Sequence, residues 1–328
     1  MFPVEILELI FWELDIEDFP SVLVANRIFN GIAARCLYRY IREMGPRRTI
    51  GCLKTLGASK DIASLVNRLH INWGPHRVIS NFFRLLHRAL QQTTSLRHFS
   101  IELSQHDNAC SRLSWLFDGC NFSLRSLTTS MLCDPALACF LETQPEISEL
   151  CLRGFQTTSR FAISPFALPA LDTFRAVHAG APILAQIIAG RPVEAVSLSL
   201  FSEDGYAPLD ALRLSSRPIK RLTIMSLDLS PADQLLAEVS SRLPQLEALH
   251  IVILTLTYTN QILLDSSKHL TRFPDLRYLT VMAPGSTTTQ DEEKIASSWH
   301  QACPTLKTII LPKGKVWFER DGKWTCWE

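Results

Sequence analysis

The chain has 328 residues, 47% of them hydrophobic, with 33 basic side chains against 32 acidic ones for a formal net charge of +1. That balance gives no electrostatic case for nucleic acid or an anionic membrane as partner, and the apolar content belongs to a folded rather than a disordered chain. Nine cysteines lie scattered without a C-x-x-C pair or a Cys/His metal spacing, which reads as reduced thiols in a cytoplasmic or nuclear protein, with no metal or cofactor implied.

Residues 1–45 follow a helical period. In the run MFPVEILELIFWEL, Pro3 suits a first helical position and Glu5 a first turn, where the helix dipole favours negative charge. Glu5, Glu8 and Glu13 cover an arc of roughly 140°, and Ile6, Leu7, Leu9, Ile10, Phe11 and Leu14 occupy the rest. Asp18 can cap a second helix with Pro20 in its first turn, and a third stretch, Asn26 to Arg42, spaces Phe29, Ile32, Ala33, Leu37, Tyr38 and Ile41 for one face. Three helices this short cannot bury so wide a stripe by themselves. One reading is a plain cap on the segment that follows. The ordered features are F-P-V-E-I-L-E-L-I-F-x-x-L, an acidic D-F turn, and V-A-N-R-I-F-x-x-I-A-x-x-x-L-Y-R. Over residues 2–42 they resemble the F-box, with Phe2 where that family usually has leucine. The resemblance implies docking on a Skp-family adaptor and, through it, on a cullin of a ubiquitin ligase. Phe2, Pro3, Ile6, Leu7, Ile10 and Phe29 stand at the family's adaptor-facing positions. Residues 46–64, bearing Gly51, Gly57 and several basic side chains, read as a connector with one short helix at most.

From residue 65 the period changes. Leu246, Leu249 and Ile251 sit at i, i+3 and i+5 between polar neighbours, and the last two share one face of a strand. The frame recurs at Val66/Leu69/Ile71, Leu96/Phe99/Ile101, Ile147/Leu150/Leu152, Val193/Val196/Leu198, Ile219/Leu222/Ile224, Leu276/Leu279/Val281 and Leu306/Ile309/Leu311. Degraded copies stand at Leu124/Leu127/Thr129 and Leu171/Phe174/Ala176. A mean step of about 27 residues carrying L-x-x-L-x-L is the signature of leucine-rich repeats. Helical runs separate the strands at 78–92, 135–143, 182–189, 231–242, 260–272 and 290–302, with start signals at Asp134-Pro135 and Ser230-Pro231. The expected fold class is α/β: a three-helix F-box module, then a right-handed solenoid over 65–313 with a curved parallel sheet and outer helices. Position i+8, often Asn or Cys in such repeats, is variable here, so no asparagine ladder is expected. Residues 314–328 (KVWFERDGKWTCW and its flanks) predict a capping hairpin turning at Asp321-Gly322, with Trp317, Trp324 and Trp327 covering the last repeat.

No G-x-S-x-G, P-loop, H-E-x-x-H or glycine-rich nucleotide motif occurs, so no catalytic or metal-binding residue is assigned and the chain reads as a binder rather than an enzyme. A hydrolase or transferase whose Cys–His pair meets only in the fold remains a competing reading. Among the outward strand positions, Arg68, His70, His98, Arg153, Arg175, Arg221, His250 and Tyr278 are the expected substrate contacts, on the concave face that solenoids use for binding. Their mild positive bias suits an acidic or phosphorylated segment, with Arg175 and Arg221, two frames apart, placed to touch one extended peptide. The expected function is the substrate receptor of a Skp–cullin–F-box ligase; the alternative is a leucine-rich-repeat scaffold or inhibitor with no ligase link.

Overall fold

The computed structural model describes all residues except 1, 16, 75–79, 105–112, 158, 228–231, 256–257, 285–286, 321–322 and 328. The chain divides into two compact units, one of residues 1–150 and 157–160 and the other of residues 151–156 and 161–328. Each is built from parallel strands with helical segments between them.

In the first unit, helices α1 (Val4–Trp12), α2 (Phe19–Ala25) and α3 (Arg27–Arg39) form a small module. Asn26 caps α3, its side-chain oxygen accepting from the Phe29 N–H at 2.8 Å. The module's core is Leu7, Phe11, Phe19, Ile32 and Ala33, with Phe29 packed against it. The Phe11 and Phe29 rings meet edge to face, 5.5 Å between centroids. An ion pair between Arg35 and Glu8, 2.8 Å long, ties α3 to α1.

The segment expected to be a connector is helical instead. Helices α4 (Pro46–Ala58) and α5 (Lys60–Ser64) fill it, with Pro46 in the first turn of α4 and Leu53 and Leu56 fully buried. Ahead of them the end of the expected third helix is a two-residue strand, β1 (Tyr40–Ile41), paired with β2 (Arg68–Trp73). Helix α6 (Ser80–Gln92), β3 (His98–Leu103), a 3-10 turn at Ser114–Phe117, β4 (Ser126–Thr129) and α7 (Pro135–Glu142) follow. Strands β1 to β4 pair in chain order, all parallel. The division between units runs through β5 (Glu149–Leu152).

The second unit continues with β6 (Thr173–Ala176), α8 (Ala181–Ile188), β7 (Ala195–Leu200), α9 (Ala207–Leu212) and β8 (Arg221–Ser226). Then come α10 (Ala232–Arg242), β9 (Ala248–Ile253), α11 (Asn260–Asp265), α12 (Ser267–Leu270), β10 (Tyr278–Met282), α13 (Thr289–Ala302) and β11 (Thr308–Ile310). Strands β6 to β11 are parallel in chain order. The helical run expected over 260–272 breaks into two at Ser266, whose hydroxyl donates back to the Ile262 carbonyl.

Every residue of all ten frames is buried, degraded copies included. Strand positions between them alternate outward, as in the e-B-i-B-e-B run of β8. In place of an asparagine ladder, individual side chains satisfy the turns after the strands. Asn72 Oδ1 accepts from the Gly74 N–H, Ser130 Oγ from the Leu103 N–H and Thr129 Oγ1 from the Met131 N–H.

Strands β12 (Val316–Arg320) and β13 (Lys323–Trp327) run antiparallel, as the sequence predicts, and β12 pairs antiparallel with β11, which ends the parallel series. The turn expected at Asp321-Gly322 lies outside the described residues, as does the Ser230-Pro231 helix start. Trp317 and Trp324 are buried, but Trp327 is exposed and covers nothing. Alternation along β13 explains the difference from Trp324, because residues three apart point to opposite faces. The fully buried Glu292 of α13 accepts from the Thr287 hydroxyl (2.7 Å), the Lys313 N–H (3.0 Å) and the Trp317 indole N–H (3.1 Å). A buried carboxylate thus holds the hairpin's aromatic anchor through neutral donors alone.

Arg191 is also buried. Among the described residues it has no carboxylate partner; its guanidinium donates to the carbonyls of Ser164, Ala167, Gln186, Ile187 and Ala189 at 2.7–3.2 Å. It closes the C-terminal end of α8 while anchoring the irregular segment before β6.

Candidate protein-binding surfaces

Helix α1 has more apolar surface than its packing uses. Leu7 and Phe11, one turn apart, face the module's core, and Leu7 is 7% exposed. Its expected place on the adaptor side is therefore corrected: a residue four before Phe11 must share the inward stripe. Phe29 likewise is half-buried against Phe11 rather than turned outward. Phe2 (67% exposed), Pro3, Ile6 and Ile10 do face solvent. Leu9 and Trp12 on the same helix, Val4 at its start, Val24 on α2 and Ile28 on α3 are exposed as well. Of the ten exposed large apolar residues among the described residues of the first unit, eight lie within residues 2–28. Isolated exposed apolar residues are ordinary on protein surfaces, whereas a concentration of them is what contact surfaces have.

The eight candidate substrate residues all project from strands or strand ends, away from the frame residues. Arg68, His70 and His98 belong to the first unit. Tyr40, Arg68, His98 and Ser126 occupy one row across β1 to β4. The Arg39 and Arg68 guanidiniums stand 5.5 and 5.8 Å from the Tyr40 ring centre. Burial, then Arg68, pulls the His98 pKa below its usual value, against the opposing pull of Glu149. The Nε2 of His70 is buried and has no hydrogen-bond partner among the described residues. Tyr40 and Arg39 had no place among the expected contacts, because their segment read as helix.

In the second unit the register separates Arg175 from Arg221. Arg175 lies opposite Ser197, which is opposite Thr223; Arg221 lies opposite Ala195. They are two strands and two residues apart, about 10 Å across and about 7 Å along, so they form a diagonal rather than a row. Arg153 stands just beyond β5, near a stack of rings in which Phe155 and His178 are 4.3 Å apart at 12°. Burial, then Arg153, lowers the His178 pKa.

Strands β8, β9 and β10 assemble what single residues could not reveal. Their outward positions form three rows: Arg221–Ala248–Tyr278, Thr223–His250–Thr280 and Met225–Val252–Met282. Met225 is 43% exposed, Met282 41%, Tyr278 48% and Leu254, just past β9, 51%. These four are half of the eight exposed large apolar residues among the described residues of the second unit. In the middle row His250 Nδ1 lies 2.8 Å from Thr280 Oγ1, and burial lowers the His250 pKa, so the ring is neutral at neutral pH. Arg221 has no ion pair or side-chain hydrogen bond among the described residues.

Burial raises the thiol pKa of Cys52 to about 11 and of Cys120 and Cys133 to about 12, so these three are protonated at neutral pH. Among the described residues no cluster of His, Cys, Asp and Glu could hold a metal ion, and no helix is long and apolar enough to cross a membrane. No family model and no curated protein matches the chain.

Proposed function

We propose that the chain is a substrate receptor of a Skp–cullin–F-box ubiquitin ligase, in which α1 to α3 act as an F-box and the strand–helix repeats as a right-handed leucine-rich-repeat solenoid. The observation that carries this reading is the group of exposed apolar side chains within residues 2–28, which the module's own core does not cover. In this reading Phe2, Pro3, Ile6 and Ile10 pack on a Skp-family adaptor, and a protein substrate sits on outward strand positions. Holding substrate and ligase together raises the local concentration of substrate lysines at the transfer site, and the chemistry occurs in other subunits. Replacing Pro3 and Ile10 together, each by serine, should abolish co-purification with a Skp-type adaptor while the strand repeats unfold at an unchanged temperature. Adaptor binding that survives the double replacement would leave α1 to α3 as a cap alone and the chain as a scaffold without a ligase link.

A further inference from the structure

We infer that the face of β8, β9 and β10 is a channel for an extended peptide segment carrying an acidic residue and, four positions away, an aliphatic one. This rests on the receptor reading only in taking the ligand to be a protein segment.

The floor of the channel is β9, which presents Ala248, His250 and Val252. Its walls are Arg221 and Met225 on β8 and Tyr278 and Met282 on β10. At the Ala248 end the floor side chain is a buried methyl group, flanked by a guanidinium and a phenol whose strands are about 10 Å apart. Both walls donate hydrogen bonds, and the guanidinium fork fits a carboxylate. No acidic side chain of the described chain occupies Arg221. At the other end, Met225 and Met282 flank Val252, and Leu254 extends the apolar floor beyond it. Thioether side chains adapt to branched aliphatic groups of differing shape.

The two ends lie four residues apart along one strand, about 13 Å, with the neutral His250 row halfway. A peptide in extended conformation places residues i, i+2 and i+4 on one side at the same spacing. A segment running over β9 therefore sets its acidic side chain on Ala248, a small or polar one on His250, and its aliphatic one on Val252. Arg175, off this track on β6, has no part in it.

The test is to pan a phage-displayed library of random peptides against the full chain, then measure binding of enriched peptides by fluorescence anisotropy to the wild type, Arg221→Glu, Met225→Lys and Arg320→Glu. The expected result is a consensus pairing Asp or Glu with Leu, Ile or Val four positions apart. Binding should weaken about tenfold or more in Arg221→Glu and in Met225→Lys and stay level in Arg320→Glu. Because all three side chains are at the surface, circular dichroism should be the same for each variant. No enriched consensus, or equal weakening by Arg320→Glu, would overturn the inference. So would self-association of the wild type that Met225→Lys abolishes, since a second copy of the chain would then be the occupant. Peptide capture needs no adaptor, so its failure leaves the α1 contact standing, and loss of adaptor binding leaves the channel standing.

Discussion

At the N-terminal end of the chain, α1 turns Leu7 and Phe11 inward and leaves Phe2, Ile6 and Ile10 in solvent. At the C-terminal end, the β12–β13 hairpin turns Trp317 and Trp324 inward, ties Trp317 to the buried Glu292, and exposes one large apolar side chain, Trp327. Both segments adjoin runs of parallel strands, and covering the outermost strand is a sufficient job for the hairpin. The helical module has apolar surface left over after its own core is complete. A cap spends its apolar residues inward, and the exposed apolar side chains on α1 to α3 are what the proposed docking role rests on.

The contrast can be broken most decisively at the hairpin. Trp317→Ala removes a buried aromatic and leaves Glu292 short of a donor, and should cost about 3–5 kcal/mol by chemical denaturation. A loss below about 1 kcal/mol would mean that the hairpin covers nothing that matters. On α1 the comparison can be made within a single helix. Leu7→Ala should destabilise by about 2–5 kcal/mol, while Ile10→Ser should stay within about 0.5 kcal/mol and act on adaptor binding instead. Similar stability losses from both would place Ile10 in the core and remove the surplus.

The smallest effect sharpens the C-terminal side. Thr288 and Asp291 form a reciprocal cap at the start of α13, and the hydrogen bond from the Thr288 hydroxyl holds the Asp291 carboxyl below its usual pKa. With the folded-state value depressed, the cap's contribution is complete above the ordinary aspartate value and is lost as pH falls through the lower folded one. Asp291→Asn should therefore flatten a small part of the acid dependence of stability below that range and leave neutral pH little affected. An unchanged acid profile would show that the carboxylate is not linked to folding.

The buried frame was legible because period-2 alternation and a regular step survive even where leucine gives way to Thr129 or Ala176. The helices α4 and α9 were not. Gly51, Gly57 and the basic residues of 46–64 read as connector, yet Leu53 and Leu56, three apart on α4, supply the inward stripe. Helix α9 is a short turn between Gly205 and the serines at 215 and 216, too brief for a period to show. For the binding surfaces, alternation identified which residues face outward but not which stand side by side. Arg175 and Arg221 looked like neighbours until the register set them on a diagonal. Met225 and Met282 gained meaning only when β9 brought them to either side of Val252. Leu7 was misplaced because a wide apolar arc does not say which part of it faces in.

Arg191 bears on how such an array can change over time. Strand–helix repeats ordinarily lengthen or shorten by whole units, since each unit meets only its neighbours through interchangeable apolar contacts. The Arg191 guanidinium instead fastens the end of α8 to the carbonyls of Ser164 and Ala167. Inserting or deleting a unit between the Ser164–Ala167 segment and α8 would take two of the five carbonyl acceptors from that buried cation. This junction is therefore a fixed splice in an otherwise extensible chain, and insertions should be tolerated on either side of it but not within.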